Sequence, residues 1–110
     1  MRLALPLLAM LAVAGLAGTA LADRPIYTLT IHDHQFQPTE LQVPAGQKIV
    51  LHVINQDPSV EEFESTDMHR EKIVTGGAQI TVYIGPLSPG SYVFFGDFHP
   101  DSARGHIVAK

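Results

Sequence analysis

The residues of this chain with the most chemical capacity are its histidines and one run of carboxylates. Six histidines stand in 110 residues, and Glu61, Glu62 and Glu64 flank Phe63 in the segment Glu61-Glu62-Phe63-Glu64-Ser65. In an extended strand residues i and i+2 share a face, so Glu62 and Glu64 project together while Glu61, Phe63 and Ser65 take the other side. Phe63 is the natural core anchor, and the same parity turns Glu61 inward. Two carboxylates on one face repel unless a cation lies near them. One reading is a hard-oxygen half-site for iron, manganese or Cu²⁺; the other is a solvated acidic face paired with Arg70 and Lys72. His32-x-His34 places two imidazoles on one strand face. Met68-His69 sets a soft donor beside a borderline one, a pair that could hold copper. His52 and His106 read as exposed strand positions.

The composition removes many alternatives. With no cysteine there is no disulfide framework, thiolate nucleophile, iron–sulfur cluster, zinc finger or blue-copper centre. Seven basic against 11 acidic residues give a formal net charge of −4, the wrong sign for a nucleic-acid partner. No serine lies in a Gly-x-Ser-x-Gly setting, and Gly76-Gly77 is a turn rather than a phosphate loop. A hydrophobic content of 45% is that of a folded chain.

The elements that must position these side chains begin after a leader. Arg2, an uncharged apolar run over 3–17 and the pattern Ala20-Leu21-Ala22 form a secretory signal, cleaved after Ala22. Residues 1–22 are then a signal peptide and 23–110 one domain, and in a bacterium such a protein is periplasmic. Within that domain a period of two recurs in short segments broken by Gly, Pro, Asn and Asp. Strands are expected near 26–34, 40–43, 48–53, 60–65, 72–74, 78–84, 91–95 and 106–109, with Gln35-Phe36-Gln37-Pro38 as a corner. Strands spaced by roughly 8–12 residues, with no helical periodicity, predict an all-β, Greek-key β-sandwich of about 7–8 strands.

Three segments, in order, resemble the cupredoxin family. They are Phe36-Gln37-Pro38 with Leu41-Gln42-Val43-Pro44-Ala45-Gly46, which looks like an opening hairpin; Ile49 to Asn55; and Pro89-Gly90-Ser91-Tyr92-Val93-Phe94-Phe95-Gly96-Asp97-Phe98-His99 with Gly105-His106-Ile107-Val108. In that family the last segment carries a copper cysteine, a histidine and an axial methionine. Here the matching positions hold Gly96, His99 and, near the methionine, Ala103. The loop that presents the family's first histidine reads Val60 to Ser65. Of the usual four ligands only His99 is present, so the resemblance is to a cupredoxin scaffold without its electron-transfer centre.

The Glu-Phe-Glu-Ser segment, Arg70-Glu71-Lys72 and Gly85-Pro86-Leu87 resemble the EfeO-type or FtrB-type periplasmic cupredoxin-like proteins of bacterial ferrous-iron uptake. That resemblance implies work beside a P19-like periplasmic iron-binding protein and a membrane iron permease, in iron oxidation or handoff. The implied cofactor is a copper or iron ion, with no organic cofactor. The family topology brings the end of the first strand, the loop after Asn55 and the final loop to one pole. On that basis His34, Glu62, Glu64, Asp97 and His99 are the expected metal ligands, with His32, Glu61, Met68 and His69 as weaker candidates. The other readings are a docking module for a membrane complex and a periplasmic copper chaperone.

Overall fold

The computed structural model describes residues 24–110, which form nine strands and, among the described residues, no helix. The expected signal peptide lies outside the described residues. In chain order the strands are β1 (Ile26–His32), β2 (Gln35–Gln37), β3 (Glu40–Val43), β4 (Ile49–Asn55), β5 (Glu61–Ser65), β6 (Arg70–Val74), β7 (Gln79–Ile84), β8 (Gly90–Phe95) and β9 (Arg104–Ala109). They make a four-stranded sheet, β2-β1-β4-β7, and a five-stranded sheet, β3-β9-β8-β5-β6. β1 runs parallel to β4 and β3 parallel to β9, while the other neighbours are antiparallel. This is the all-β sandwich that the alternating pattern predicts, with the cupredoxin-like arrangement that the resemblance implies.

Two local features differ from expectation, both near Pro38. The first strand stops at His32 because Asp33 and His34 both take positive φ, 53° and 59°. That conformation is what a two-residue hairpin turn demands. It sends the chain back as β2, so Gln35 to Gln37 is a ninth strand and not a corner. His34 therefore sits in the turn, and His32 and His34 do not share a strand face. The segment read as an opening hairpin is a crossover: β2 pairs with β1 in one sheet, and β3 pairs with β9 in the other.

Alternation along the strands builds the core between the sheets. β1 contributes Leu29 and Ile31, β4 Ile49, Leu51 and Val53, β7 Val82 and Ile84, and β9 Ile107 and Ala109. Three rings join the layers. Phe36 meets Phe94 edge-on at 5.1 Å between centroids, and Phe63 lies 5.4 Å from Phe94. Such aromatic pairs add roughly 0.5–1.5 kcal/mol beyond the area they bury. Phe63 is fully buried, which fixes the parity of β5 and, with it, the direction of every carboxylate on that strand.

Candidate metal centre

One end of the sandwich gathers the turn after β1, the start of β5 and the loop from β8 to β9. Glu61 enters from β5 on the side of Phe63, as parity requires, and is 1% exposed. A buried carboxylate needs donors, and Glu61 has three. Its Oε1 accepts from the backbone N–H of Glu62 and of Phe98, each at 3.0 Å. Its Oε2 accepts from His99 Nδ1 at 2.5 Å. An ion that displaces the proton between Nδ1 and Oε2 would take both atoms as ligands, since metal binding releases the protons of its ligands. The His34 ring stacks on the His99 ring, with centroids 3.6 Å apart and planes 16° from parallel. Ligand atoms of His34, Glu61 and His99 all lie within 4.8 Å of one another.

His34 is held there by a relay of polar contacts. Asn55, at the end of β4 and 1% exposed, donates through Nδ2 to the carbonyls of Ser59, Val74 and Thr75. Its Oδ1 accepts from the N–H of Asp57 at 3.0 Å. The Asp57 carboxylate in turn accepts the N–H of Asp33 at 2.8 Å and of His34 at 2.9 Å, clamping the left-handed turn. Ser102 Oγ donates to the His34 carbonyl at 2.7 Å. The His34 N–H foremost, aided by the Asp33 N–H and the nearby imidazoles, holds the Asp57 carboxyl below its ordinary range despite the opposing effect of burial. Asn55, Asp57 and Ser102 were missed as positioning residues. The signal available for the first two was Asn55-x-Asp57-Pro58, a pattern whose short side chains bond nearby backbone.

Gly96 shows why the blue-copper arrangement does not fit. It stands where the family places the copper cysteine, and a Cβ built on it would lie 2.6 Å from Glu61 Cδ and 2.9 Å from Ala103 Cβ. The Glu61 carboxylate fills the space a cysteine side chain would take. The donor set is therefore imidazole nitrogen and carboxylate oxygen, which suits a borderline or hard divalent ion better than Cu(I). The two rings are stacked, so for both to reach one ion His34 must turn out of the stack; its side chain is 45% exposed, with Nδ1 3.6 Å from Asp57 Oδ2.

The expected ligands fall into separate groups. Glu62, Glu64 and Asp97 cluster on the outer face of β5, with oxygens within 4.8 Å of one another, and are not joined to His34 and His99. Alternation separates them: Glu61 and Glu62 are neighbours in sequence and lie on opposite faces of the strand. Burial first, then a side-chain hydrogen bond and charge from Glu64, with Glu71 and Asp97 beyond, push the Glu62 carboxyl up to about 7. His32 stands with Asp33 and Asp57 in a third, mostly exposed group. Met68 is 6% exposed and belongs to the core, so its sulfur is not offered beside the exposed His69. His52 and His106, expected to be exposed, are half-buried, and His106 Nε2 lies 3.1 Å from Glu40 Oε1.

The pairing of Arg70 and Lys72 with the acidic face is not found. Lys72 lies opposite Phe63 and Arg70 opposite Ser65, on the parity turned away from Glu62 and Glu64, whereas Glu71 lies opposite Glu64. Arg70 Nε donates to the Tyr83 carbonyl at 2.8 Å and Lys72 Nζ to the Thr81 carbonyl at 2.9 Å.

The chain belongs to the cupredoxin-like domain family, whose family model matches residues 3–109. Among curated proteins it is 50% identical over 82 residues to protein RP394 of Rickettsia prowazekii (strain Madrid E), a match covering 74% of this chain and 66% of that relative, a little under two thirds. Among solved structures it is similar to auracyanin A, a blue copper protein of Chloroflexus aurantiacus, with a TM-score of 0.69 and 14% identity over 80% of this chain and 100% of that one. Amicyanin from Paracoccus versutus aligns with a TM-score of 0.60 and 19% identity over 81% of this chain and 83% of that one. At such identities the two structures speak for the fold alone. Together they leave a cupredoxin-like sandwich with no cysteine and with His/carboxylate groups able to hold a metal.

Proposed function

We propose that this protein is a periplasmic metal-binding accessory of ferrous-iron uptake, holding a divalent ion through His34, Glu61 and His99 and handing it to a membrane permease. The observation that carries the reading is the convergence of two imidazoles and a buried, triply hydrogen-bonded carboxylate at one pole of the sandwich. Two nitrogens and one carboxylate leave coordination positions open for water or a second protein's ligand, as handoff requires. Glu62, Glu64 and Asp97 lie on the other face of the strand that carries Glu61 and add negative charge near the site, which attracts cations. The iron-uptake setting, with a P19-like protein and a permease as partners, rests on the resemblance of the Glu-Phe-Glu-Ser, Arg-Glu-Lys and Gly-Pro-Leu segments. No side chain of this chain accepts electrons from Fe²⁺, so binding and transfer need fewer assumptions than oxidation. When bound, the ion supplies Lewis acidity or, if it is copper, redox capacity; the residues orient it and keep one side protected from solvent.

The test is a calorimetric titration with Cu²⁺, Mn²⁺ and anaerobic Fe²⁺, with optical absorption in parallel. The expected result is micromolar or tighter binding of one ion at the inner site, with no intense copper–thiolate band. Substituting His99→Ala should weaken it by about tenfold or more, roughly 1.4 kcal/mol. Failure of all three metals to bind overturns the proposal and leaves a docking module, which the 48% exposure of Phe98 beside His99 would then favour.

A further inference from the structure

At the opposite end of the sandwich three of the chain's seven cations gather. β1 runs from Ile26, two residues after Arg24, to His32, two residues before His34. At about 3.3 Å per residue, the seven residues of β1 separate those two ends by roughly 20 Å. There, where the β6 and β7 edges of the two sheets meet, a cavity of about 170 Å³ is lined by Arg24, Lys48, Arg70, Tyr83 and the β7 terminus. Three cations around one small space are unexpected in a chain whose formal net charge is −4. Like charges brought together raise each other's energy unless an anion lies among them.

The charges are not neutralised internally. Among the described residues, every ion pair joins a histidine to a carboxylate, and none involves Arg24, Lys48 or Arg70. Arg70 is nevertheless fixed. Its Nε is held by the Tyr83 carbonyl at 2.8 Å and its Nη1 by the His69 carbonyl at 2.9 Å. Carbonyl oxygens orient a guanidinium without cancelling its charge, and among the described residues Nη2 is left unengaged. An arginine held in this way has already lost its rotamer freedom and presents planar donors that match oxyanion geometry.

We propose that this cavity is a binding site for a phosphate group, free or on a lipid headgroup, with Arg70 as its fixed donor and Arg24 and Lys48 closing over it. Three cations approaching from different sides match the oxygens of a tetrahedral phosphate better than the two coplanar oxygens of a carboxylate. The site is independent of the metal centre, since the two lie at opposite ends of the strands.

The test uses the full chain, metal-free, at constant ionic strength set with chloride. Inorganic phosphate is titrated into the protein and into the Lys48→Gln and Arg24→Gln variants, with heteronuclear NMR shifts of the Tyr83 and Gly85 amides as the readout. Flotation with phosphatidylcholine vesicles, with and without phosphatidylglycerol, runs in parallel. Saturable phosphate binding that weakens about tenfold in either variant supports the site with free phosphate as ligand. Absence of that binding, with flotation on phosphatidylglycerol vesicles that falls in both variants, supports it with a lipid headgroup as the source. No response to either probe, or responses unchanged in both variants, overturns the proposal; vesicle binding that survives the substitutions belongs to the apolar leader.

Discussion

Glu61 and Gly96 act as a reciprocal pair, and much of the site's chemistry follows from them. The carboxylate occupies the volume of the missing thiol, so each residue dictates the size of the other. Gly96→Cys alone should overpack this pocket, lowering stability by about 1–3 kcal/mol. With Cu²⁺ it should give no copper–thiolate band. The double variant Glu61→Ser/Gly96→Cys has room for the sulfur beside His34 and His99. Visible absorption after Cu²⁺ addition is expected to show the band in the double variant only. Glu62 contributes differently. Its carboxyl, pushed up to about 7 from an ordinary 4.5, holds a proton in the folded state that the unfolded chain has released between those two values. The contribution of this group to stability is therefore full below about 4.5 and is lost as pH rises toward 7. Thermal unfolding across that window should show the decline, and Glu62→Gln should flatten it.

At the scale of elements, the site depends on how strand ends are tied together. β4 ends in Asn55, whose side chain fixes the next loop, and Asp57 in that loop fixes the β1–β2 turn bearing His34. Removing the Asp57 carboxylate leaves two turn N–H groups without their acceptor, at about 1–3 kcal/mol. Asp57→Ala should thus lower the unfolding midpoint and also weaken metal binding, although Asp57 belongs to a different side-chain group. A chelation curve in which the variant binds metal like the parent would show that the turn holds His34 unaided. Gly76 serves the same region: a Cβ there would lie 2.1 Å from the Pro58 carbonyl oxygen, so the two loops can close together only over a glycine.

For the whole molecule, a small sandwich of two sheets carries the residues proposed to hold the metal on three separate stretches of chain, at positions 34, 61 and 99. An ion bound there links the β1–β2 turn of one sheet to β5 and the β8–β9 loop of the other. Ligand that binds only the folded state stabilises it, by about 2.7 kcal/mol when present at a hundred times its Kd. Scanning calorimetry with and without the tightest-binding ion should show an upward shift in Tm, and His99→Ala should abolish it. An unchanged Tm at saturating metal would mean that the ion does not bind the folded chain in preference to the unfolded one.

The sequence by itself determined the all-β class of the fold, because a period of two punctuated by turn residues allows little other than a sandwich or a barrel. Its lack of cysteine settled that no copper–thiolate bond forms. Parity around Phe63 determined that Glu61 points inward and that Glu62 and Glu64 point away from it. Only the tertiary structure decided which carboxylate meets the histidines. That depends on the space beside Gly96 and on the approach of residues 38 positions apart, Glu61 and His99, and no local pattern encodes either. The left-handed pair Asp33-His34 was equally hidden, since its conformation is stabilised by a carboxylate more than twenty residues away. Local spacing sets which face a side chain takes; long-range packing sets what it finds there.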